Sequence, residues 1–165
     1  MAVSSKQLLS DALDPFDLGI LEILQRDNSV PLRTIGEAVN LSAAAVQRRI
    51  KRLRETGVIV GNIAVVDPAR LGRAITILVE IAVESERIDL IEGVRASLLE
   101  APEVQQCYYV TGEADFVVVI TVATMKEYEA LTRRLFFNSH NVKRFRTLVV
   151  MDRVKVGLQI PIRTP

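Results

Sequence analysis

A short basic segment contains the side chains in this 165-residue chain that are best suited to bind another molecule. Five Lys and Arg residues, and no acidic residue, lie between Arg48 and Arg54. If the segment is helical, Val46, Ile50 and Leu53 fall on one narrow stripe that must pack inward. The basic side chains then lie outside that stripe, where they can bind the phosphates of double-stranded DNA.

The residues around the basic segment predict a helix-turn-helix over residues 31–57. Asn40 tolerates the left-handed conformation that a sharp turn requires, and Ser42 can cap the helix that follows. Gly57 ends that helix. A solvated basic face on an ordinary surface helix is the competing interpretation. The cap, the turn and the acid-free basic run together favour a recognition helix for the major groove of DNA.

The predicted recognition helix begins with small side chains, which allow a close approach to the bases and whose methyl groups can meet thymine methyls. Gln47 and Arg48 can form paired hydrogen bonds with base edges. The cations farther along are suited to phosphates, which give affinity without sequence information. The predicted DNA-binding residues are Ser42, Ala43, Ala44, Gln47, Arg48, Arg49, Lys51, Arg52 and Arg54.

The remaining elements predict two domains of different character. Asp14 as N-cap and Pro15 in the first helical position begin a first helix, whose predicted inner face is Phe16, Ile20, Ile23 and Leu24. After residue 73, the order β-α-β, turn, β-α-β predicts a ferredoxin-like antiparallel sheet with two helices on one face. The predicted fold class is α+β, with an N-terminal, winged-helix-like helix-turn-helix domain and a C-terminal βαββαβ domain.

Capping residues, prolines and changes of periodicity set the predicted boundaries. The domains are a flexible arm at 1–12, the helix-turn-helix domain at 13–60, a β hinge and linker at 61–73, and the βαββαβ domain at 74–165. Strands are predicted at 58–66, 75–83, 104–111, 115–122 and 142–151, and helices at 88–101 and 125–137, the former with Ile88, Ile91, Val94 and Leu98 facing inward. Residues 154–162 are a candidate extra strand, which could pair with another subunit. One sheet face stays uncovered, so we expect an oligomer.

Composition and single residues argue against several other classes of protein. With 21 basic and 20 acidic residues, the net charge of +1 decides nothing about partners. Cys107, the one cysteine, is interpreted as a small core residue, and His140, the one histidine, as a solvated loop residue. The sequence has no zinc-ligand spacing, phosphate-binding glycine loop, signal-peptide pattern or membrane-spanning apolar stretch. We therefore expect a cytoplasmic, non-enzymatic protein without metal or cofactor.

From about residue 13 to residue 156 the chain resembles the Lrp/AsnC, or feast/famine, family of regulators. The matching pieces, in order, are Leu13-Asp14, Asp17, Ile20-Leu21, Leu41-Ser42, Arg49, Arg52-Leu53, Gly57-Val58-Ile59, Gly61, Val110-Thr111-Gly112, Asp115-Phe116 and Val149-Val150-Met151. The resemblance implies a transcriptional regulator with a ligand-sensing domain, which forms homodimers that assemble into octamers. Ala43–Ala45, Arg48 and Arg54 depart from the family's pattern, so the operator sequence is not implied.

The resemblance also implies that an amino-acid effector binds between dimers, near the turn at 112–115. Asp115 would face the ammonium group, and Gly112 would let the backbone approach the carboxylate closely. A plain hairpin turn with a solvated Asp115 is the alternative. The predicted effector-binding residues are Val110, Thr111, Gly112, Glu113, Asp115, Met125, Thr147, Leu148 and Val149.

Two other functions compete with a regulator that binds promoter DNA. An enzyme on the same scaffold, similar to certain haem-biosynthesis decarboxylases, would need basic residues and a histidine in the ligand-sensing domain instead of a basic recognition helix. A stand-alone sensor or oligomerisation module would leave the first 60 residues without a role. The basic helix favours the regulator over both.

Overall fold

The computed structural model describes residues 13–137, 139 and 141–162, so the predicted arm at 1–12 and His140 lie outside the described residues. The chain forms two compact units. Of the described residues, 13–64 and 155–162 form the helical unit, and those between 65 and 154 form the sheet unit. No helix in the described part of the chain is long and apolar enough to cross a membrane.

Three helices form the helical unit: α1 (Pro15–Leu24), α2 (Leu32–Val39) and α3 (Ala43–Glu55). All three were predicted from capping residues and periodicity, and they are confirmed. Their contact encloses an apolar core, with partly buried side chains such as Ile59 packed around it; the buried core residues are Ile20, Ile35, Val46 and Ile50. This core holds α3 against the other two helices.

Local signals fix the start of α1 and the turn between α2 and α3. The Asp14 carboxylate accepts a hydrogen bond from the Asp17 N–H at 2.8 Å, and the Asp14 N–H donates to the Asp17 carboxylate at 3.2 Å, which completes a capping box. Asn40 has a φ of 56°, as the predicted turn requires. The same turn requires Gly36, because a Cβ there would lie 2.4 Å from the carbonyl oxygen of Leu41.

One position on the predicted inner face of α1 is wrong. The sequence places Phe16 inward, but its side chain is 41% exposed. Asp17 is buried instead, at 0% exposure. The reason is a long-range pairing, since the Asp17 carboxylate binds arginines of α3 and therefore takes the inward position.

The sheet unit has the predicted βαββαβ order. Its elements are β1 (Ile75–Val83), α4 (Ile88–Glu100), β2 (Val104–Tyr109), β3 (Phe116–Val122), α5 (Met125–Thr132), which continues into a π-helical turn at Arg133–Phe137, and β4 (Val142–Val149). The strands pair antiparallel in the order β2-β3-β1-β4. The predicted central position of the strand near residue 118 is confirmed, because β3 lies between two neighbours.

The core of the sheet unit lies between the two helices and one face of the sheet. Odd positions of β1 and even positions of β3 supply Ile77, Val79, Ile81, Phe116, Val118 and Ile120, and the helices supply Val94, Leu98, Tyr128 and Leu131. Leu78, Val119 and Leu148 pair across the other face and remain partly exposed. The prediction of a sheet with one less covered face therefore holds for this chain.

Two local predictions fail in the described residues. Residues 58–66 contain no strand, and Val60 is 96% exposed, because no neighbouring backbone supplies a ladder partner. Residues 154–162 also contain no strand within one copy of the chain, and their pairing with another subunit stays a prediction. Ile88 is exposed instead of inward, because it starts α4 and the helix packs through Val94 and Leu98, about two and three turns later.

Candidate nucleic-acid interface and ligand-binding unit

The recognition helix α3 is anchored by the stripe that its periodicity predicts. The Ser42 hydroxyl caps the helix by accepting from the Ala45 N–H at 3.2 Å. Val46, Ile50 and Leu53 are buried. Because these side chains fix the rotation of the helix about its axis, they also fix which residues face away from the unit.

Four polar side chains form the outer face of α3: Gln47, Arg48, Lys51 and Arg54, all exposed. Lys51 lies three or four residues from each of the other three, so the four side chains cover one broad exposed side of the helix. Lys51 lies 3.7 Å from Glu55. Among the described residues, no carboxylate lies within 4.0 Å of the Arg48 or Arg54 guanidinium, so both cations are available to an external anion.

Arg49 and Arg52 differ from the predicted picture, because both bind carboxylates of α1. Arg49 Nη1 donates to Asp14 Oδ2 at 2.6 Å and to Asp17 Oδ1 at 2.9 Å. Arg52 Nη2 donates to the other oxygen of Asp17. The Arg49 guanidinium also lies 5.3 Å from the centre of the Phe16 ring, within range of a cation–π contact. The two arginines are thus engaged inside the unit. We call the ion-paired group of Asp14, Asp17, Arg49 and Arg52 the arginine clamp.

Charge pairing shifts the ionisation of the arginine clamp. Burial raises the pKa of the Asp14 carboxyl, but hydrogen bonds from the Asp17 N–H and from Arg49 outweigh burial and leave that pKa below its usual value. Hydrogen bonds to Asp14 and Asp17 raise the pKa of Arg49. Both groups therefore stay ionised at neutral pH, and the clamp holds its charge-assisted bonds there.

The turn between β2 and β3 is built around Asp115. Asp115 Oδ2 accepts a hydrogen bond from the Val83 N–H at 2.7 Å, and the Asp115 N–H donates to the Ile81 carbonyl at 2.8 Å. Gly112 adopts a φ of 124°, which favours glycine. The alternative of a freely solvated Asp115 is therefore wrong, since this carboxylate ties the turn to the end of β1.

The predicted effector-binding residues fall in two groups at different ends of the sheet. The turn residues lie where Phe116 pairs with Ile81, whereas Val149 pairs with Ile77. Four residues of strand separate these positions, which is about 13 Å at roughly 3.3 Å per residue. Met125 lies at the same end as Val149, since it follows β3 where that strand pairs with the start of β1. One copy of the chain does not bring the two groups together.

A charged cleft beside the turn was missed by the sequence reasoning. Its volume is 160 Å³, and its charged lining residues are Glu80, Glu113, Arg144 and Arg146. Arg146 lies 3.4 Å from Glu80, and Arg144 Nη2 donates to the Glu113 carbonyl at 3.4 Å. Strand alternation carried the signal, because residues 144 and 146 of β4 must share one face. The register of β1 was needed to place Glu80 opposite them.

Both parts of the chain match family models. Residues 13–54 match the AsnC-type helix-turn-helix domain, and residues 76–160 match the Lrp/AsnC ligand binding domain. An HTH-type transcriptional regulator of Sinorhizobium fredii is 41% identical over 162 residues, which are 96% of each chain. The leucine-responsive regulatory protein of Haemophilus influenzae is 34% identical over 144 residues, 87% of each chain.

A solved structure has the same fold. A transcriptional regulator of Neisseria meningitidis, crystallised as a complex with L-Met, superposes with a TM-score of 0.85 at 24% identity, and the match covers 91% of this chain and 97% of that one. The likeness extends over both units of this chain. With its recognition helix, its βαββαβ sheet unit and these relatives, the chain belongs to the Lrp/AsnC family of helix-turn-helix transcriptional regulators.

Proposed function

We propose that this regulator reads promoter DNA through the outer face of α3 and that it does so as an oligomer with paired recognition helices. The exposed side of α3 formed by Gln47, Arg48, Lys51 and Arg54 is the observation that carries the proposal. A surface of donors and cations on which no carboxylate of the described residues pairs with Arg48 or Arg54 matches the phosphates and base edges of a major groove.

The residues of α3 divide into three roles. Ser42, Ala43 and Ala44 lie at the end that approaches the bases, and Gln47 and Arg48 bind base edges. Lys51 and Arg54 bind phosphates. Arg49 and Arg52, which the sequence places among the DNA contacts, act through the arginine clamp by fixing the position of α3.

A gel-shift titration on a duplex from the regulator's own promoter tests these roles. Arg48→Ala should weaken binding by about 1–3 kcal/mol, or roughly 5- to 150-fold. Lys51→Ala should lower the slope of log K against log salt by about 1. Arg26→Ala is the matched control, because Arg26 belongs to the same unit and is engaged with Glu22. If Arg48→Ala bound as tightly as Arg26→Ala, the assignment of the reading face would be wrong.

We further propose a small-molecule effector of the amino-acid class, which the L-Met complex of the Neisseria regulator supports. The two predicted groups of effector-binding residues lie at different ends of the sheet, so the proposed site takes the turn from one copy and residues such as Met125 and Val149 from another. The cleft beside the turn supplies two carboxylates and two guanidiniums, the charges that a zwitterion needs.

Calorimetric titration with each amino acid tests the effector. Arg144→Gln should weaken any binding observed. Lys143→Gln is the matched control, because Lys143 is the neighbouring residue of β4 and is not among the residues that line the cleft. Absence of heat with every amino acid would refute the effector and leave DNA binding intact, since the two are measured separately.

The remaining parts of the proposal concern assembly and setting. The partly exposed apolar pairs on the less covered sheet face support a dimer, with an octamer as the larger assembly. Light scattering of the purified chain tests this. We propose a cytoplasmic protein that acts by binding and not by catalysis, and we retain the predicted domain limits of 13–60, 61–73 and 74–165.

A further inference from the structure

The C-terminal tail returns to the helical unit. After β4 ends at Val149, the chain continues through the sheet unit to residue 154, and residues from 155 onward group with the helical unit. The helical unit is therefore joined to the sheet unit by two chain segments, near residues 64 and 154. The second segment can restrain the helical unit only if a residue of that unit binds the tail.

Gln25, the C-cap residue of α1, holds the tail through three hydrogen bonds. Its Nε2 donates to the Ile160 carbonyl at 2.9 Å, and its Oε1 accepts from the Ile160 N–H at 3.0 Å. The side chain of Gln159 donates to the Gln25 carbonyl at 2.9 Å. Gln25 thus presents the donor and acceptor that one residue of a neighbouring β-strand would present.

The contact uses the backbone of Ile160 and the side chain of Gln159, and it leaves the apolar side chains of the tail exposed. Ile160 is 69% exposed although both of its main-chain groups are bound. Each exposed hydrogen bond of this kind contributes little free energy, so the contact between Gln25 and the tail is reversible. It forms because the tail is tethered and its local concentration at α1 is high.

We propose that the Gln25 end of α1 is a docking site for the C-terminal tail, and that docking restrains the helical unit so that paired recognition helices bind two half-sites more tightly. This inference rests on the proposed DNA-binding function. Two half-sites lie about 34 Å apart on one face of the duplex. Helical units that move freely lose conformational entropy when both bind DNA, and this loss weakens binding. Restrained units have already lost that entropy, so they bind more tightly.

Hydrogen–deuterium exchange of the full-length protein tests the docking without DNA. Gln25→Ala and Gln25→Glu should each raise exchange of the Ile160 amide, measured within the peptide covering residues 155–162, by about tenfold, the effect of losing one to two exposed hydrogen bonds. Gln25→Glu keeps the shape but places a carboxylate against the Ile160 carbonyl. Gln105→Ala, on an exposed residue of β2, is the matched control and should leave this peptide unchanged. Equal exchange in all four proteins would overturn the proposal.

DNA titrations test the restraint. Gln25→Ala, and separately deletion of residues 155–165, should weaken binding to a promoter duplex with two half-sites by about five- to tenfold. On a duplex shortened to one half-site the change should stay below about twofold, because no second helix needs positioning. No loss on the long duplex, or equal loss on both, contradicts the restraint. If the wild type binds neither duplex, the DNA-binding proposal fails while the exchange experiment still decides whether the tail docks.

Discussion

Asp17→Asn removes the negative charge that holds two arginines of the recognition helix and leaves a side chain of almost the same shape. Asp17 is 0% exposed, and Arg49 and Arg52 are 25% and 49% exposed at their side chains. Loss of one partner from a fully buried ion pair destabilises a protein by about 3–5 kcal/mol. Because both guanidiniums can regain water, we expect a smaller loss here, of about 2–3 kcal/mol in the free energy of unfolding.

Urea unfolding of the full chain separates the two units by spectroscopy. The chain has no tryptophan, and its three tyrosines, Tyr108, Tyr109 and Tyr128, all lie in the sheet unit. Tyrosine fluorescence therefore follows the sheet unit, while far-ultraviolet circular dichroism follows both. With a slope of about 1 kcal/mol/M for a small unit, the helical transition of Asp17→Asn should move about 2–3 M lower in urea. The tyrosine transition should stay where it is.

Glu22→Gln is the control for this measurement, because Glu22 belongs to the same helix and forms an exposed ion pair with Arg26. Exposed pairs of this kind contribute about 0–1 kcal/mol. If Asp17→Asn and Glu22→Gln shifted the helical transition equally, the arginine clamp would not anchor α3. A shift of the tyrosine transition together with the helical one would contradict the expectation that the two units unfold separately.

Three further predictions follow from single groups. The pKa of Asp14 is lower in the folded chain than its usual value, so the unfolded chain binds more protons in acid. The helical unit should therefore lose stability as the pH falls through that lowered pKa. Acid titrations followed by circular dichroism should show a smaller loss of stability in Asp14→Asn than in the wild type. Burial raises the pKa of the Cys107 thiol, so a thiol reagent at mildly alkaline pH should label the native chain more slowly than the chain in urea. The Thr76 hydroxyl is buried without a hydrogen-bond partner among the described residues, so Thr76→Val should leave stability unchanged or raise it by about 1 kcal/mol in urea unfolding; a loss of about that size would mean that the hydroxyl has a partner.

Features that depend on neighbouring residues were predictable from the sequence. The Asp14 cap, the left-handed Asn40 and the Ser42 cap each act within one turn of helix, and all three are present. The buried stripe of α3 follows from helical periodicity in the same way. The order of strands in the sheet follows from the repeated β-α-β pattern, because few topologies accommodate it.

Features that depend on distant residues were not predictable. Whether Phe16 or Asp17 faces inward is decided by arginines in α3, which the periodicity of α1 does not contain. Residues 58–66 have strand-forming composition, yet a strand also needs a partner ladder. The resemblance names the effector-binding residues but not their distance apart, and only the register of β1 with β3 and β4 separates them into two groups.

Because of the arginine clamp, the residues that hold the recognition helix in place are different from those that face outward, and this separation bears on how such regulators change their DNA targets. Positions 46, 49, 50, 52 and 53 hold the helix in place, and positions 47, 48, 51 and 54 face outward. The two sets do not overlap. New combinations at the outward positions therefore leave the folding free energy nearly unchanged. On the proposed assignment of the reading face, a duplicated copy of this regulator can then acquire a different operator without first passing through an unstable intermediate.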